Sequence, residues 1–191
     1  EVGGTDVCAV KTGTVSLVGE NEADCFIKVK ELIDYLPSNN IEAAPFYGEC
    51  EEINNVSSQL AEFVESADTV DVKSIIKEIA DCGELFELYS NYSQNIVTGF
   101  IRLNGSTVGV VANQGKVNSG IIDIKAAKKA SAFVSFCDSF NISVLTITNT
   151  AGFEASTEEE LNGMLKNAAG LLYSFAQATV PKVNLIVGKA Y

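Results

Sequence analysis

Ile96-Val97-Thr98-Gly99-Phe100-Ile101-Arg102-Leu103 alternates in character, Asn104-Gly105 follows, and Val108-Gly109-Val110-Val111-Ala112 returns. Alternation is the mark of a strand with two different faces. Asn-Gly between two such runs suits a tight turn, because both residues accept positive φ at low cost. Residues 96–112 therefore predict a β-hairpin. Downstream, a loop over Asn113 to Ile124 leads to a helix near 125–140, with Ala126, Ala130, Phe133, Val134, Cys137 and Phe140 on one side. Val144-Leu145-Thr146-Ile147-Thr148 reads as a buried strand, Thr150 to Ser156 as a loop, 157–178 as a helix and 183–187 as another strand. From residue 84 onward the order is strand, hairpin, helix, strand, helix, strand. That order implies helix-covered sheet layers, an α/β fold.

Upstream the signals are helical. Residues 1–19 mix small, polar and β-branched types and predict short strands or an ordered loop. Phe26, Ile27, Val29, Ile33 and Leu36 then mark an amphipathic helix, acid-rich at its N-terminal end where the dipole favours anions, and Pro37 stops it. Residues 41–56 lack periodicity and predict a linker. Asp71 caps a second helix whose Val72, Ile75, Ile76 and Ile79 share a face, and Asp81-Cys82-Gly83 ends it. The division that follows is 1–40, a linker over 41–70 with room for a short helix, and 71–191.

Composition narrows the function. With 25 acidic against 13 basic residues the net charge is −12, the wrong field for nucleic acid. An anionic small ligand is still compatible, since local amides and a few lysines can hold one. No histidine is present, so the commonest general base and metal ligand are missing. Five cysteines without a Cys-x-x-Cys spacing predict reduced thiols in a cytoplasmic protein, with neither a metal site nor a disulfide framework. No apolar run approaches the roughly 18 residues of a membrane span, so no membrane insertion is expected. Glu1-Val2-Gly3-Gly4 lacks a methionine and any signal-peptide pattern, and the expectation is a piece of a longer chain.

Several motifs carry a family resemblance. They are Tyr35-Leu36-Pro37-Ser38-Asn39-Asn40, Asn95-Ile96-Val97-Thr98-Gly99-Phe100 with Arg102-Leu103-Asn104-Gly105, and Val110-Val111-Ala112-Asn113-Gln114. Phe136-Cys137-Asp138-Ser139-Phe140-Asn141-Ile142, Ala178-Thr179-Val180-Pro181-Lys182-Val183 and a closing Lys189-Ala190-Tyr191 continue the series. In this order, and across all but roughly 41–70, they resemble the boundary and C-terminal half of biotin-dependent acyl-CoA carboxyltransferase subunits. Propionyl-CoA carboxylase β chains and methylmalonyl-CoA or glutaconyl-CoA decarboxylase carboxyltransferase subunits are of this kind. The resemblance implies a ClpP/crotonase-type β-β-α superhelix, present here as a truncated C-terminal subdomain, with 1–40 as the tail and boundary helix of an N-terminal subdomain.

The same resemblance implies the site. Gly152 and Phe153 match a Gly-Phe loop whose backbone amides stabilise negative charge beside biotin. Asn113, Gln114, Ala190 and Tyr191 match positions lining the biotin or substrate cleft. Biotin would ride on a separate carrier domain or subunit, so the implied partners are a biotin carboxyl carrier protein, an acyl-CoA and further copies in a homo-oligomer. Backbone donors suffice for such chemistry, which is consistent with the absence of histidine. The sequence departs from the family at Ala151, at Glu154-Ala155-Ser156, at Asn167, Ala168 and Gly188. Simpler readings stand beside these: Gly152 as a loop glycine, Asn113 and Gln114 as polar hairpin ends, Lys182 and Lys189 as solvated strand flanks. Two rival functions also stand, a crotonase-type hydratase or isomerase and a non-catalytic assembly subunit.

Overall fold

The computed structural model describes residues 3–48, 57–65 and 71–191. Five strands form one sheet in sequence order: β1 (Phe86–Leu88), β2 (Ile96–Leu103), β3 (Ser106–Asn113), β4 (Ser143–Thr150) and β5 (Lys182–Ala190). The first three are antiparallel, whereas β3–β4 and β4–β5 are parallel. The expected hairpin is β2–β3, with Val97 opposite Ala112, and Asn104 and Gly105 turn with φ of 51° and 73°. The Asp81 carboxylate accepts from both turn amides, at 3.0 and 2.7 Å.

Parallel pairing requires crossovers, and two helical layers supply them. α4 (Ile124–Ser139) joins β3 to β4; α5 (Thr157–Leu161) and α6 (Met164–Gln177) join β4 to β5. Just before each crossover helix the chain makes a short bridge, Ile122 with Phe153, outside the main sheet. One main-sheet strand, one short extended segment and one helix thus repeat as a β-β-α turn.

Period-2 alternation sends side chains to two cores, one on each face of the sheet. Ile96, Phe100, Val111 and Val144 face α4 and α6. Val97, Ile101, Val110, Ala112, Leu145 and Ile147 face α3 (Val72–Ile79). α2 (Ser58–Glu65) packs Leu60 and Phe63 against that second core. α1 (Glu22–Tyr35) is capped by Asn21, as its acid-rich start suggests, and inserts Tyr35 beside Phe86 and Phe100. Arg102 stacks between the rings of Tyr35 and Tyr47, at 4.4 and 4.2 Å. Two of the recognised motifs are therefore joined by a cation–π sandwich.

Four expectations change. Residues 7–12 form a π-helix rather than strands or a loop. The helix expected over 157–178 is broken at Asn162-Gly163, where Gly163 takes φ of 92° and Asn167 donates back to the Gly163 carbonyl at 2.9 Å. The apolar stripe of α1 is not core: Phe26, Ile27, Val29 and Ile33 are exposed, because only the last turn reaches the packed interior. Cys8, Cys25 and Cys137 are free thiols, but Cys82 is disulfide-bonded, against the reading of reduced cysteines throughout. Half of the linker expected over 41–56, residues 49–56 with Cys50 among them, lies outside the described residues.

Two contacts of this framework are open to measurement. A Cβ on Gly109 would lie 2.5 Å from the Cys137 sulfur and 3.2 Å from the Phe133 ring, so only glycine lets α4 seat on β3. Gly109→Ala is expected to lower the unfolding free energy by about 1–3 kcal/mol. Combining it with Cys137→Ala, which removes the clashing sulfur, should cost less than the two single losses added, as read from urea midpoints. Asp138, at the end of α4, accepts from the amides of Thr179 and Val180 at 2.6 and 3.3 Å and from the Thr179 hydroxyl at 3.1 Å. The Thr179 amide is the largest cause holding this carboxyl below the usual carboxylate range, with burial opposing it. A lowered folded pKa adds stability above the unfolded value of about 3.9 and loses it as pH falls through the folded value. The stability gap between the unsubstituted chain and Asp138→Ala should accordingly be present at pH 7 and shrink as the pH is lowered below about 4.

Candidate functional site at the Gly152–Phe153 loop

β4 and β5 pair in parallel until Thr148, where the register shifts, and Thr150 then lies opposite Ala190. The shift turns the chain out of the sheet. Thr150 seals the turn with its own side chain: the Gly152 N–H donates to its hydroxyl oxygen at 3.0 Å. Gly152 takes φ of 109°, a conformation that side chains with a Cβ rarely adopt. A Cβ there would also meet the Tyr191 carbonyl oxygen at 3.4 Å. Tyr191 donates its own N–H to the Thr150 carbonyl at 3.4 Å. The loop after β4 and the chain at Tyr191 are therefore adjacent, although roughly 40 residues of sequence separate them.

The loop is held from its other side by the Ile122 backbone. Ile122 N–H donates to the Gly152 carbonyl at 3.0 Å, and Glu154 N–H donates to the Ile122 carbonyl at 2.9 Å. In a parallel bridge of this kind the intervening residue points its amide to the opposite side. Phe153 is that residue, and among the described residues its N–H has no acceptor. The two amides of the expected pair thus differ: that of Gly152 is engaged by Thr150, and that of Phe153 has no acceptor among the described residues. Phe153 is 40 % exposed and lines a groove of about 450 Å³ together with Glu154, Glu160, Met164, Leu165 and Ala168.

The other expected residues fall in different places. Asn113 lines a second cavity of about 390 Å³ between the sheet and α4 and α6, and its amide donates to the Gly120 carbonyl at 3.1 Å. Gln114 is buried and turned to α3. It donates to the Asp71 carboxylate at 2.6 Å and accepts from the Val72 amide at 3.3 Å, which fixes the helix start rather than lining the cleft. Ala190 and Tyr191 are exposed, Tyr191 by 85 %, and reach the loop through backbone atoms. Lys182 donates to the carbonyls of Ala178 and Val180, closing the C-terminal end of α6. Glu159 caps α4 by accepting from the Ile124 amide at 2.9 Å.

Sequence reading missed Lys129. It is 5 % exposed on α4, and its ammonium donates to the carbonyls of Tyr89, Tyr92, Ser93 and Ile96 at 2.8 to 3.3 Å. Burial pushes its pKa down to about 8, while the converging carbonyls favour the charged form. A lysine in an alanine-rich helix gives no hint of this in sequence, since its acceptors lie more than 30 residues away. No group of three or more potential metal ligands occurs among the described residues.

The whole chain, residues 1–191, matches the carboxyl transferase domain. It is 39% identical to the propionyl-CoA carboxylase beta chain of Roseobacter denitrificans over 193 residues, which takes in 100% of this chain and 38% of that protein. With the methylmalonyl-CoA carboxyltransferase 12S subunit of Propionibacterium freudenreichii subsp. shermanii the identity is 36%, over 100% and 37% respectively. The crystal structure of transcarboxylase 12S, a hexamer with hydrolysed methylmalonyl-coenzyme A bound, superimposes with a TM-score of 0.93 at 35% identity, over 97% of this chain and 36% of that one. Fold and site together define part of a crotonase-type β-β-α superhelix. The chain belongs to the carboxyl transferase domain family, and it spans 38% of the length of the first of these relatives.

Proposed function

We propose that this chain is the biotin-facing wall of a carboxyltransferase subunit that moves a carboxyl group between a biotinylated carrier protein and an acyl-CoA. The observation that carries the reading is the juxtaposition of the Gly152–Phe153 loop with the Tyr191 backbone, with the Phe153 amide unoccupied between held neighbours. Biotin on its carrier supplies the transferable carboxyl when bound. The chain's own contribution is electrostatic. The Phe153 N–H donates to the oxygen on which negative charge develops, and Gly152 supplies the backbone conformation that presents it. One such preorganised donor is worth about 3–4 kcal/mol in a site shielded from water. The groove beside Phe153, lined in part by Met164, Leu165 and Ala168, suits the thin ring system, and a ligand seated there would itself exclude water from that hydrogen bond.

The departures from the family pattern leave this arrangement intact. Glu154 holds Ile122 through its backbone N–H, so its side chain is not needed for the bridge. Ala155 and Ser156 line the groove instead of the backbone clamp, and Ser156 caps α5 by accepting from the Glu159 amide at 3.2 Å. Their effect therefore falls on what the groove admits.

Gly152→Val tests the reading in the complete subunit. The left-handed φ excludes valine, so carboxyl transfer should fall by about 10²–10³-fold while carrier binding, followed by titration calorimetry, stays within about twofold. Unaltered transfer would instead favour a scaffolding role. The chain of residues 1–191 alone, lacking the wall that holds the acyl-CoA, is expected to show no turnover with biotinylated carrier and propionyl-CoA; measurable turnover contradicts the proposal.

A further inference from the structure

The Phe153 amide is only as well aimed as the segment that clamps it, and that segment is itself suspended. Residues 114–122 cross from β3 to α4 through local turns: Val117 N–H to the Gln114 carbonyl, Gly120 N–H to the Val117 carbonyl and Ile121 N–H to the Asn118 carbonyl. Such turns set curvature, not position. Two buried side-chain amides tie the segment to the sheet. Asn113 holds the Gly120 carbonyl at 3.1 Å, and Asn95 holds the Ile121 carbonyl at 2.7 Å. Asn95 stands one residue before β2 and is 4 % exposed. Its side-chain oxygen accepts from the Ser93 hydroxyl at 2.8 Å and its backbone carbonyl from the Gln114 amide at 2.9 Å.

The support continues behind Asn95. The connection between β1 and β2 places Tyr89 and Ser93 at φ of 57° and 46°, a conformation that costs such residues of order 1 kcal/mol each. This turns the carbonyls of residues 89, 92, 93 and 96 inward onto the Lys129 ammonium. A run of part-buried polar contacts then passes from Lys129 through Ser93 and Asn95 to Ile121. From there one peptide bond leads to Ile122, whose N–H and carbonyl hold Gly152 and Glu154 on either side of Phe153.

We infer that Asn95 is a positioning residue for carboxyl transfer, acting through the Ile121–Ile122 backbone to aim the Phe153 amide, with Lys129 holding the loop that carries it. The inference rests on the carboxyltransferase reading above. Asn95 touches neither substrate nor the reacting oxygen; it sets where a donor stands. Misplacement of a preorganised group by about 1 Å is enough to slow a reaction on the order of 10²-fold without weakening ground-state binding.

The test uses the complete subunit carrying Asn95→Leu, of similar volume and unable to donate, with Ser93→Ala as a milder variant that removes only the hydroxyl orienting the amide. In the active protein, Asn95→Leu should lower kcat about 10- to 100-fold with KM for acyl-CoA and for carrier within about twofold. Ser93→Ala should shift kcat the same way by a smaller factor. Hydrogen exchange provides a readout independent of turnover: the bonded amides of Ile122 and Glu154 should exchange faster in both variants, while those of the β2–β3 hairpin keep their protection. Unchanged exchange at Ile122 and Glu154, equal loosening of the hairpin, or unchanged kcat beside faster exchange would each overturn the inference. If the unsubstituted subunit shows no carboxyl transfer, the functional reading fails, and the exchange result alone decides whether Asn95 places the loop. Should Asn95→Leu not fold, the same criteria apply to Ser93→Ala.

Discussion

Two hydrogen bonds from one residue, Ile122, decide where Gly152, Phe153 and Glu154 stand. They form a bridge too short to count as a strand, yet everything proposed for the site depends on it. By binding the carbonyl before Phe153 and the amide after it, Ile122 leaves the Phe153 N–H as the donor that faces away. An unpaired amide inside a fold is costly unless water or a ligand meets it. In the proposed site, that donor is the one that meets the developing charge.

The bridge exists because two parallel crossovers deliver their short segments side by side. β3–α4–β4 and β4–α5–α6–β5 each leave the main sheet, make one extended contact and return through a helix. The close seat of α4 on the sheet, possible because Gly109 has no side chain, sets the level at which Ile122 emerges. Asp138 then ties the end of α4 to the Thr179–Val180 turn that begins β5, so that β5 is led to lie beside β4. Thr150 and Ala190 come opposite one another as a result, and with them Gly152 and Tyr191. Geometry at the site is thus inherited from packing some distance away.

Several motifs that mark the family turn out to be joints. Tyr35 and Arg102 stack together, Gln114 seats α3 and Asp138 ties a crossover. None of these side chains reaches the Phe153 amide. The side chains around the loop are, by contrast, the ones that depart from the pattern the resemblance implies, while the loop itself is held by backbone bonds. This is what a site built from peptide groups allows: the donor is common to every residue, and the side chains are left to shape the groove.

Strand and helix identities were legible from residue types alone, because alternation in β2–β3, the Asn104-Gly105 turn and the apolar face of α4 are local signals with a local physical cause. The resemblance added the superhelix and singled out Gly152, Phe153, Asn113, Gln114, Ala190 and Tyr191. Neither source indicated that Gln114 serves α3, that the helix after Ser156 breaks at Gly163, that α1 turns its apolar stripe outward, or that Lys129 gathers four carbonyls. Each of these depends on groups brought together from distant parts of the chain, and a linear pattern carries no record of them. The sequence by itself determined the β2–β3 hairpin with its turn and the positions of the later strands and of α4. Only the tertiary structure decided which of two adjacent amides is left open, because that choice lies with the neighbours each one meets: a threonine hydroxyl for Gly152, and no described acceptor for Phe153.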